Sequence, residues 1–156
     1  MATRIKKKMM KYKIFAVHND YTGLIIRFTL GLGMFPHGAQ KMLGWFGGFG
    51  LVKELKLLQE LDILWIVALM VILIEFFGAI SLLIGFASRL WSIAFAGLFI
   101  GIIFLEHLQY GFFMNWFGNQ AGEGFEYHLL VLGLCIALFV QGSGKYALDS
   151  LIFRKP

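Results

Sequence analysis

Residues 63–86 read ILWIVALMVILIEFFGAISLLIGF, an apolar run with a single charged residue, Glu75, near its middle. About 20 apolar residues in a helix cross the hydrocarbon core of a bilayer, which is ~30 Å thick. A charge at the centre of such a helix costs roughly 2.5 to 3.5 kcal/mol on insertion scales, and it usually faces the protein interior. The run therefore predicts a membrane-spanning helix and a polar partner for Glu75 elsewhere in the chain.

The rest of the chain also has the composition of a membrane protein. Of its 156 residues, 59% are hydrophobic and 15% are charged, compared with about 45–50% and about 25% in soluble domains. Three more apolar segments, at 21–43, 90–107 and 125–141, accompany the run at 63–86. We predict a single all-α domain over 1–156, an integral membrane antiparallel four-helix bundle.

Positive charge is concentrated before the first span, in a basic tail formed by residues 1–20. The net charge is +5, and six cations fall in this tail: Arg4, Lys6, Lys7, Lys8, Lys11 and Lys13. Basic flanks of membrane helices stay in the cytoplasm, so the charge predicts orientation and gives no reason to expect a nucleic-acid partner. We expect both termini in the cytoplasm and a multi-pass protein of the inner (plasma) membrane, with the lipid bilayer as its main surroundings.

A short polar segment separates the first two spans. Residues 51–61 place Leu51, Leu55 and Leu58 at helical spacing, with charged residues such as Lys53 and Glu54 between them. This pattern predicts a short amphipathic helix that lies on the outer membrane surface.

Small and polar side chains predict which face of each span turns inward, because lipid already solvates large apolar ones. Steps of four and three residues define one face in each span. These faces are Gly23, Arg27, Leu30, Met34, His37, Lys41 and Gly44; Ala68, Val71, Glu75, Gly78, Leu82, Gly85 and Arg89; Ala94, Gly97 and Gly101; and Glu126, Leu130, Gly133, Ala137 and Val140. His128 lies about 200° from Glu126 around the helix and is predicted to face away from them. Together the faces predict a polar interior seam.

Three partners for Glu75 stay open at this point. Arg27 is long and offers five donors, and His37, with His107 beside it, leans toward Glu75 from the outer side. The third alternative is a protonated Glu75 that bonds neutral groups, which desolvation favours. The candidate residues of the seam are Arg27, His37, Gln40, Lys41, Glu75, Arg89, His107 and Glu126, with Glu75 and His37 as candidates for a catalytic role.

Two other motifs are set aside. Residues 142–145 read GSGK, but they lack the upstream glycine and the hydroxyl residue of a phosphate-binding loop, so they predict a turn that ends a helix. No two histidines or carboxylates share a helical spacing that would present them together to a metal, and we predict no metal site. Cys135 is the only cysteine, which excludes an intrachain disulfide.

The order of these features resembles the DoxX family of small four-span membrane proteins. The resemblance extends from Tyr21 to Phe153 and rests on Arg27, His37-Gly38, Gln40-Lys41, residues 47–50 (GGFG), Glu75, Gly78, residues 83–89 (LIGFASR), Glu106-His107, residues 111–113 (GFF), Asn115-Trp116, residues 124–128 (GFEYH), residues 142–145 (GSGK) and Leu148-Asp149. It implies a membrane component associated with redox chemistry, since the family is named after subunits of quinone-linked oxidoreductase assemblies. By position, Arg27, His37, Lys41, Glu75, Arg89, His107 and Glu126 match the family's polar pattern.

Three functions remain as alternatives. The first is a subunit of, or accessory to, a quinone-linked membrane oxidoreductase, in which a quinone is the ligand and a redox enzyme the partner. The second is a small-molecule or proton carrier that uses the same seam. The third is a non-catalytic scaffold that docks a redox enzyme, with charge serving only to fix helix packing. The sequence leaves open whether the protein is an enzyme and whether it forms a homo-oligomer.

Overall fold

The computed structural model describes residues 20–152, and each regular element in that range is helical. Residues 1–19, which include all six cations of the basic tail, lie outside this range, as do residues 153–156. In chain order the helices are α1 Tyr21–Leu43, α2 Leu51–Glu60, α3 Trp65–Ile84, α4 Ser88–Tyr110, α5 Glu126–Gln141 and α6 Leu148–Ile152.

The local sequence explains where these helices begin and end. Asp20 precedes α1, and its Oδ1 accepts the N–H of Gly23, 3.2 Å away, as expected of an N-cap residue. Gly44 and Gly85 follow α1 and α3 with φ of 75° and 71°, a left-handed conformation that favours glycine. Two π-helical segments, Ile74–Gly78 and Ile103–His107, widen α3 and α4.

Two of the helices are long and apolar enough to cross a bilayer. They are α3 and α4, whereas α5 is apolar but has only 16 residues. At 23 residues α1 has the length but does not meet the same criterion of apolar composition. The helices begin and end within a few residues of the predicted segments, while the crossing of a membrane by all four stays a prediction.

The four long helices run in alternating directions and share one core. α1 and α4 begin at the end where α3 and α5 finish, which we call the Arg27 end; the opposite end we call the His107 end. The core is made by side chains of all four helices: Leu30, Met34, Ala79, Leu82, Phe95, Phe99, Val131, Cys135 and Leu138. Polar side chains of α1 and α3 lie at both ends of this core along the helix axis.

The inward faces were predicted correctly in α3 and, except for His37, in α1, and wrongly in the other two long helices. Gly23, Arg27, Glu75 and Gly78 are buried as predicted. In α4 and α5 the buried side chains are instead Ser92, Phe95, Phe99 and Ile103, and His128, Val131, Cys135 and Leu138. Large aromatic and aliphatic side chains fill the space that four helices enclose. Of the predicted faces, Gly97, Leu130, Gly133 and Val140 are exposed, and Ala94, Gly101 and Ala137 are half-buried.

Candidate functional site

A buried ion pair joins the middle of α3 to the end of α1. Glu75 is 2% exposed, and its Oε1 lies 2.6 Å from Nζ of Lys41, whose side chain is 25% exposed. The second carboxylate oxygen, Oε2, is buried and has no donor within the described residues. A buried carboxylate normally has all its oxygens satisfied, so Oε2 is the atom of this pair that is free to accept a hydrogen bond.

The Glu75–Lys41 ion pair forms where the backbones of α1 and α3 approach closely. A Cβ on Gly38 would lie 2.5 Å from the backbone nitrogen of Phe76, so only glycine lets the two backbones come this close. Lys41 lies one turn beyond Gly38, and its long stem reaches back along the helix toward Glu75, since side chains lean toward the helix N-terminus. Glu75 itself lies in the π-helical segment of α3, a distortion that is frequent at functional sites.

The predicted partners of Glu75 were wrong. His37 is exposed and makes no hydrogen bond to the described residues. Its neighbour Gly38 lies beside Glu75, so His37 is at the same depth as Glu75. The error was in direction around the helix: Gly38 faces α3, and one residue corresponds to a turn of about 100°, which carries the imidazole to the outside.

Arg27 is wholly buried and has a different task. Its guanidinium donates five hydrogen bonds, all to backbone carbonyl oxygens: Leu82 at 2.9 Å, Leu83 at 2.5 Å, Ser143 at 2.9 Å, and Lys145 and Tyr146 at 3.1 Å each. The last carbonyls of a helix lack partners within the helix and carry partial negative charge. Arg27 therefore caps the C-terminus of α3 and ties it to the turn after α5, and no carboxylate is among its hydrogen-bond partners.

Further side chains close the Arg27 end. Arg89 donates to the carbonyls of Phe139 (2.7 Å) and Val140 (3.1 Å) at the end of α5, so it lies away from Glu75. Asp149 is buried and accepts the N–H groups of Ala87 (2.7 Å) and Ser88 (3.2 Å), together with the hydroxyl of Ser143. A carboxylate at the N-terminus of α4 is stabilised by the helix dipole. The GSGK segment forms the predicted helix-ending turn within this network.

Asp149 was not among the predicted site residues. Its position after α5 carries no periodic pattern, and its partners come from the loop between α3 and α4, more than sixty residues away in the chain. The only signal was the Leu148-Asp149 pair, which was noted as part of the family resemblance.

The remaining candidates lie near the His107 end. His107 Nδ1 is 2.8 Å from the carbonyl oxygen of Glu123, and its ring centroid is 4.2 Å from that of His128. His128 is buried against it, contrary to the prediction that it faces away. Glu126 accepts the N–H of Met114 (3.1 Å) and holds the loop at 111–125. Gln40 donates to the carbonyl of Phe46 (3.1 Å) in the loop after α1.

The polar candidates therefore do not converge on one seam. Arg27, Arg89, Gln40 and Glu126 hold helix ends and loops, and within residues 20–152 Lys41 is the candidate that forms an ion pair with Glu75. Three buried side-chain atoms of residues 20–152 lack a hydrogen-bond partner: Glu75 Oε2, Ser88 Oγ and His128 Nδ1. Glu75 Oε2 is a free acceptor beside the ammonium group of Lys41, and His128 Nδ1 is a second unpartnered atom of a side chain that can exchange protons.

The family of the chain is decided by a match to the DoxX family model over residues 23–108, more than half of its length. The chain belongs to the DoxX family. This is a membrane family, so the apolar helices described above are those of a membrane protein. The matched range contains Arg27, Lys41 and Glu75, and it ends before the loop at 111–125.

One curated relative has a name that refers to redox chemistry. The chain is 28% identical over 137 residues to the Bacillus subtilis (strain 168) protein named "Putative oxidoreductase CatD", and the alignment covers 84% of this chain and 87% of that protein. No solved structure matches. The DoxX-like membrane protein is thus similar to a protein whose name associates it with oxidoreductase activity.

Proposed function

We propose that this DoxX-family protein is an integral membrane subunit of, or accessory to, a quinone-linked oxidoreductase system, and that Glu75 and Lys41 form its polar intramembrane site. The observation that carries the proposal is the free Oε2 of a carboxylate that is 2% exposed and bonded through Oε1 to Lys41. A residue whose only role was to fix helix packing would have both oxygens bonded, as Asp149 does.

The chemistry follows from the two groups. Glu75 Oε2 can accept a hydroxyl proton, and the ammonium of Lys41 stabilises the carboxylate before that transfer. Lys41 has three donors and uses one on Glu75, so the others can bond a carbonyl oxygen. A quinone bound here would supply the two-electron chemistry, with the electrons exchanged at the cofactor of a partner redox enzyme. The chain itself binds, orients and exchanges protons.

Quinone titration tests the proposal directly. The purified protein in detergent is titrated with a water-soluble benzoquinone while heat is recorded by calorimetry. We expect saturable binding that Glu75→Gln and Lys41→Met each weaken at least about tenfold, because each removes one of the two polar contacts. The matched controls are Glu60→Gln and Lys56→Met on exposed positions of α2, which should bind as the wild type does. Equal binding by Glu75→Gln and the wild type would refute the proposal.

A second part of the proposal concerns the membrane. We infer that α1, α3, α4 and α5 cross the inner membrane as an antiparallel four-helix bundle, with the Arg27 end in the cytoplasm and α2 at the outer surface. Their alternating directions and common core support this, as do the large apolar side chains on their outer faces, such as Ile25 and Leu32 on α1. The basic tail that leads into α1 supports the orientation.

Cysteine labelling tests the orientation. In a Cys135→Ser background, Asn119→Cys lies in the loop at the His107 end and Leu151→Cys near the Arg27 end, both at exposed positions. A membrane-impermeant maleimide added to intact spheroplasts should label Asn119→Cys alone, and Leu151→Cys only after lysis. Labelling of Leu151→Cys in intact spheroplasts would reverse the topology.

The contacts of the described residues also bear on the other two proposed functions, a carrier and a scaffold. A carrier must open at both ends in turn, yet Arg27 and Asp149 bond the helix ends together at one of them. Proteoliposomes with an enclosed pH dye would reveal a carrier by proton movement without any redox partner.

A scaffold function is favoured by the many polar groups engaged in helix capping. If the protein is a scaffold, the Glu75→Gln variant still copurifies with the partner enzyme, and quinone-dependent activity is unchanged.

A further inference from the structure

His128, near the start of α5, is a buried histidine with an unused nitrogen. Its side chain is 7% exposed, and its Nδ1 has no hydrogen-bond partner within residues 20–152. Three rings pack against the imidazole: the ring centroids of His107, Phe99 and Tyr127 lie 4.2, 5.5 and 5.8 Å from its own. These rings fix the orientation of His128 but offer Nδ1 no hydrogen bond, which a buried polar atom normally has.

The unused nitrogen of His128 is an acceptor. A neutral imidazole carries its proton on one nitrogen and a lone pair on the other. Nε2 is not among the buried unpartnered atoms of residues 20–152, so it reaches the surface. A proton on Nε2 leaves the lone pair at the buried Nδ1, and this tautomer is favoured because a buried N–H without a partner is rare in proteins.

His128 lies at the same level of the helix bundle as Glu75. Gly78 of α3 packs against Phe95 of α4, since a Cβ on Gly78 would lie 3.0 Å from the Phe95 ring. Glu75 is three residues from Gly78, and Phe99 is four residues from Phe95 in the same direction, because α3 and α4 are antiparallel. These steps correspond to about 4.5 and about 6 Å along the helices. Since His128 packs against Phe99, it lies within a few ångströms of the depth of Glu75.

The two unpartnered acceptors belong to helices on opposite corners of the bundle. α3 packs against α1 and α4, and α5 packs against the same two helices, so α3 and α5 lie on one diagonal. Both side chains are buried and enter the interior from these two corners. Glu75 Oε2 and His128 Nδ1 therefore form a pair of acceptors at one level, and neither has a donor among residues 20–152. A ligand that satisfies both acceptors needs two donors.

We propose that His128 is a second ligand-binding residue of the site at Glu75 and Lys41, and that its Nδ1 accepts one hydroxyl of a hydroquinone whose other hydroxyl donates to Glu75. This inference rests on the proposed function and specifies its ligand. A quinone has only acceptors, whereas a hydroquinone has a donor for each unpartnered atom. The site therefore favours the reduced form of the ligand, and an aromatic diol over a monophenol.

The test removes each end of the second hydrogen bond separately. Binding of hydroquinone and of para-methoxyphenol, which has one hydroxyl in place of two, is measured by calorimetry on the purified protein in detergent under reducing conditions. The single hydroxyl of para-methoxyphenol should donate to Glu75, because a charged acceptor forms the stronger hydrogen bond. His128→Phe keeps a ring and removes Nδ1, whereas His128→Asn keeps an acceptor at the same number of bonds from the backbone. The matched control is His37→Phe, at an exposed position.

We expect the wild type to bind hydroquinone at least about fivefold more tightly than para-methoxyphenol, the value of one hydrogen bond. His128→Phe should lose this preference by weakening hydroquinone alone. His128→Asn should retain most of it, and His37→Phe should bind both ligands as the wild type does.

Two results would overturn the assignment of His128 while the proposed function stood. One is equal affinity of the wild type for the two ligands, a comparison that needs no variant to fold. The other is a His128→Phe variant that binds both ligands as the wild type does, as expected if buried water alone bonds Nδ1, or that weakens both equally. If the wild type bound neither hydroquinone nor benzoquinone, the proposed function itself would fail.

Discussion

Replacing Arg27 with leucine should destabilise the protein by about 3 kcal/mol. The guanidinium donates five hydrogen bonds to carbonyl oxygens that hold α3 to the turn after α5. Side-chain hydrogen bonds inside membrane proteins contribute on average about 0.6 kcal/mol each in double-mutant cycles, and five of them give the figure stated. Carbonyls left buried without donors add to the loss. Arg27→Lys should lose about half as much, because one ammonium cannot reach carbonyls on both elements.

The measurement is reversible unfolding in mixed micelles, in which SDS is titrated and helicity is followed by circular dichroism. Lys56→Leu, at an exposed position of α2, controls for the loss of a positive charge and should unfold as the wild type does. A loss below about 1 kcal/mol for Arg27→Leu, the value of a single hydrogen bond, would show that the capping network does not hold the Arg27 end together.

Three further changes test other contacts. Asp149→Asn should cost about 1 to 2 kcal/mol in the same unfolding assay, because it removes the charge at the start of α4; an unchanged midpoint would contradict this. Gly38→Ala should lower the free energy of unfolding by about 1 to 3 kcal/mol, because the added Cβ forces α1 and α3 apart. The control Gly33→Ala should be neutral or stabilising. Equal effects of the two substitutions would refute the close approach of α1 and α3. Glu126→Gln should weaken the bond to the 111–125 loop and speed its cleavage by chymotrypsin several-fold, while Glu106→Gln should not; the same rate in both would count against a tied loop.

The helices could be predicted because residues that are close together in the sequence determine where a helix forms. Apolar runs of bilayer length located α1, α3, α4 and α5 to within a few residues, and the charges of α1 and α3 marked the faces that Arg27 and Glu75 turn inward. In α4 and α5 the same rule failed. It assumed that small residues mark helix contacts, but Phe95 and Phe99 fill the wide centre of the four helices while Gly97 points outward.

The site could be predicted only in part, because its contacts depend on how the chain folds back on itself. Glu75 stood out as a charge in an apolar run, and its need for a partner was correct. The choice among cations required the direction of each side chain around α1 to better than one residue, and Gly38 fixes that direction through a backbone contact. The partners of Arg27 are carbonyls of an irregular turn, which no periodic pattern specifies.

Infrared difference spectroscopy of Glu75 tests the central claim most directly. Spectra of the reconstituted protein are recorded before and after a bound hydroquinone is oxidised electrochemically, for the wild type and for Glu75→Gln. If Oε2 accepts a proton from the ligand, the wild type gains a protonated-carboxyl band that is absent from Glu75→Gln and present in the control Glu60→Gln. A carboxyl signal that is unchanged on oxidation, or that persists in Glu75→Gln, would contradict the assignment of the Glu75–Lys41 pair as the functional site.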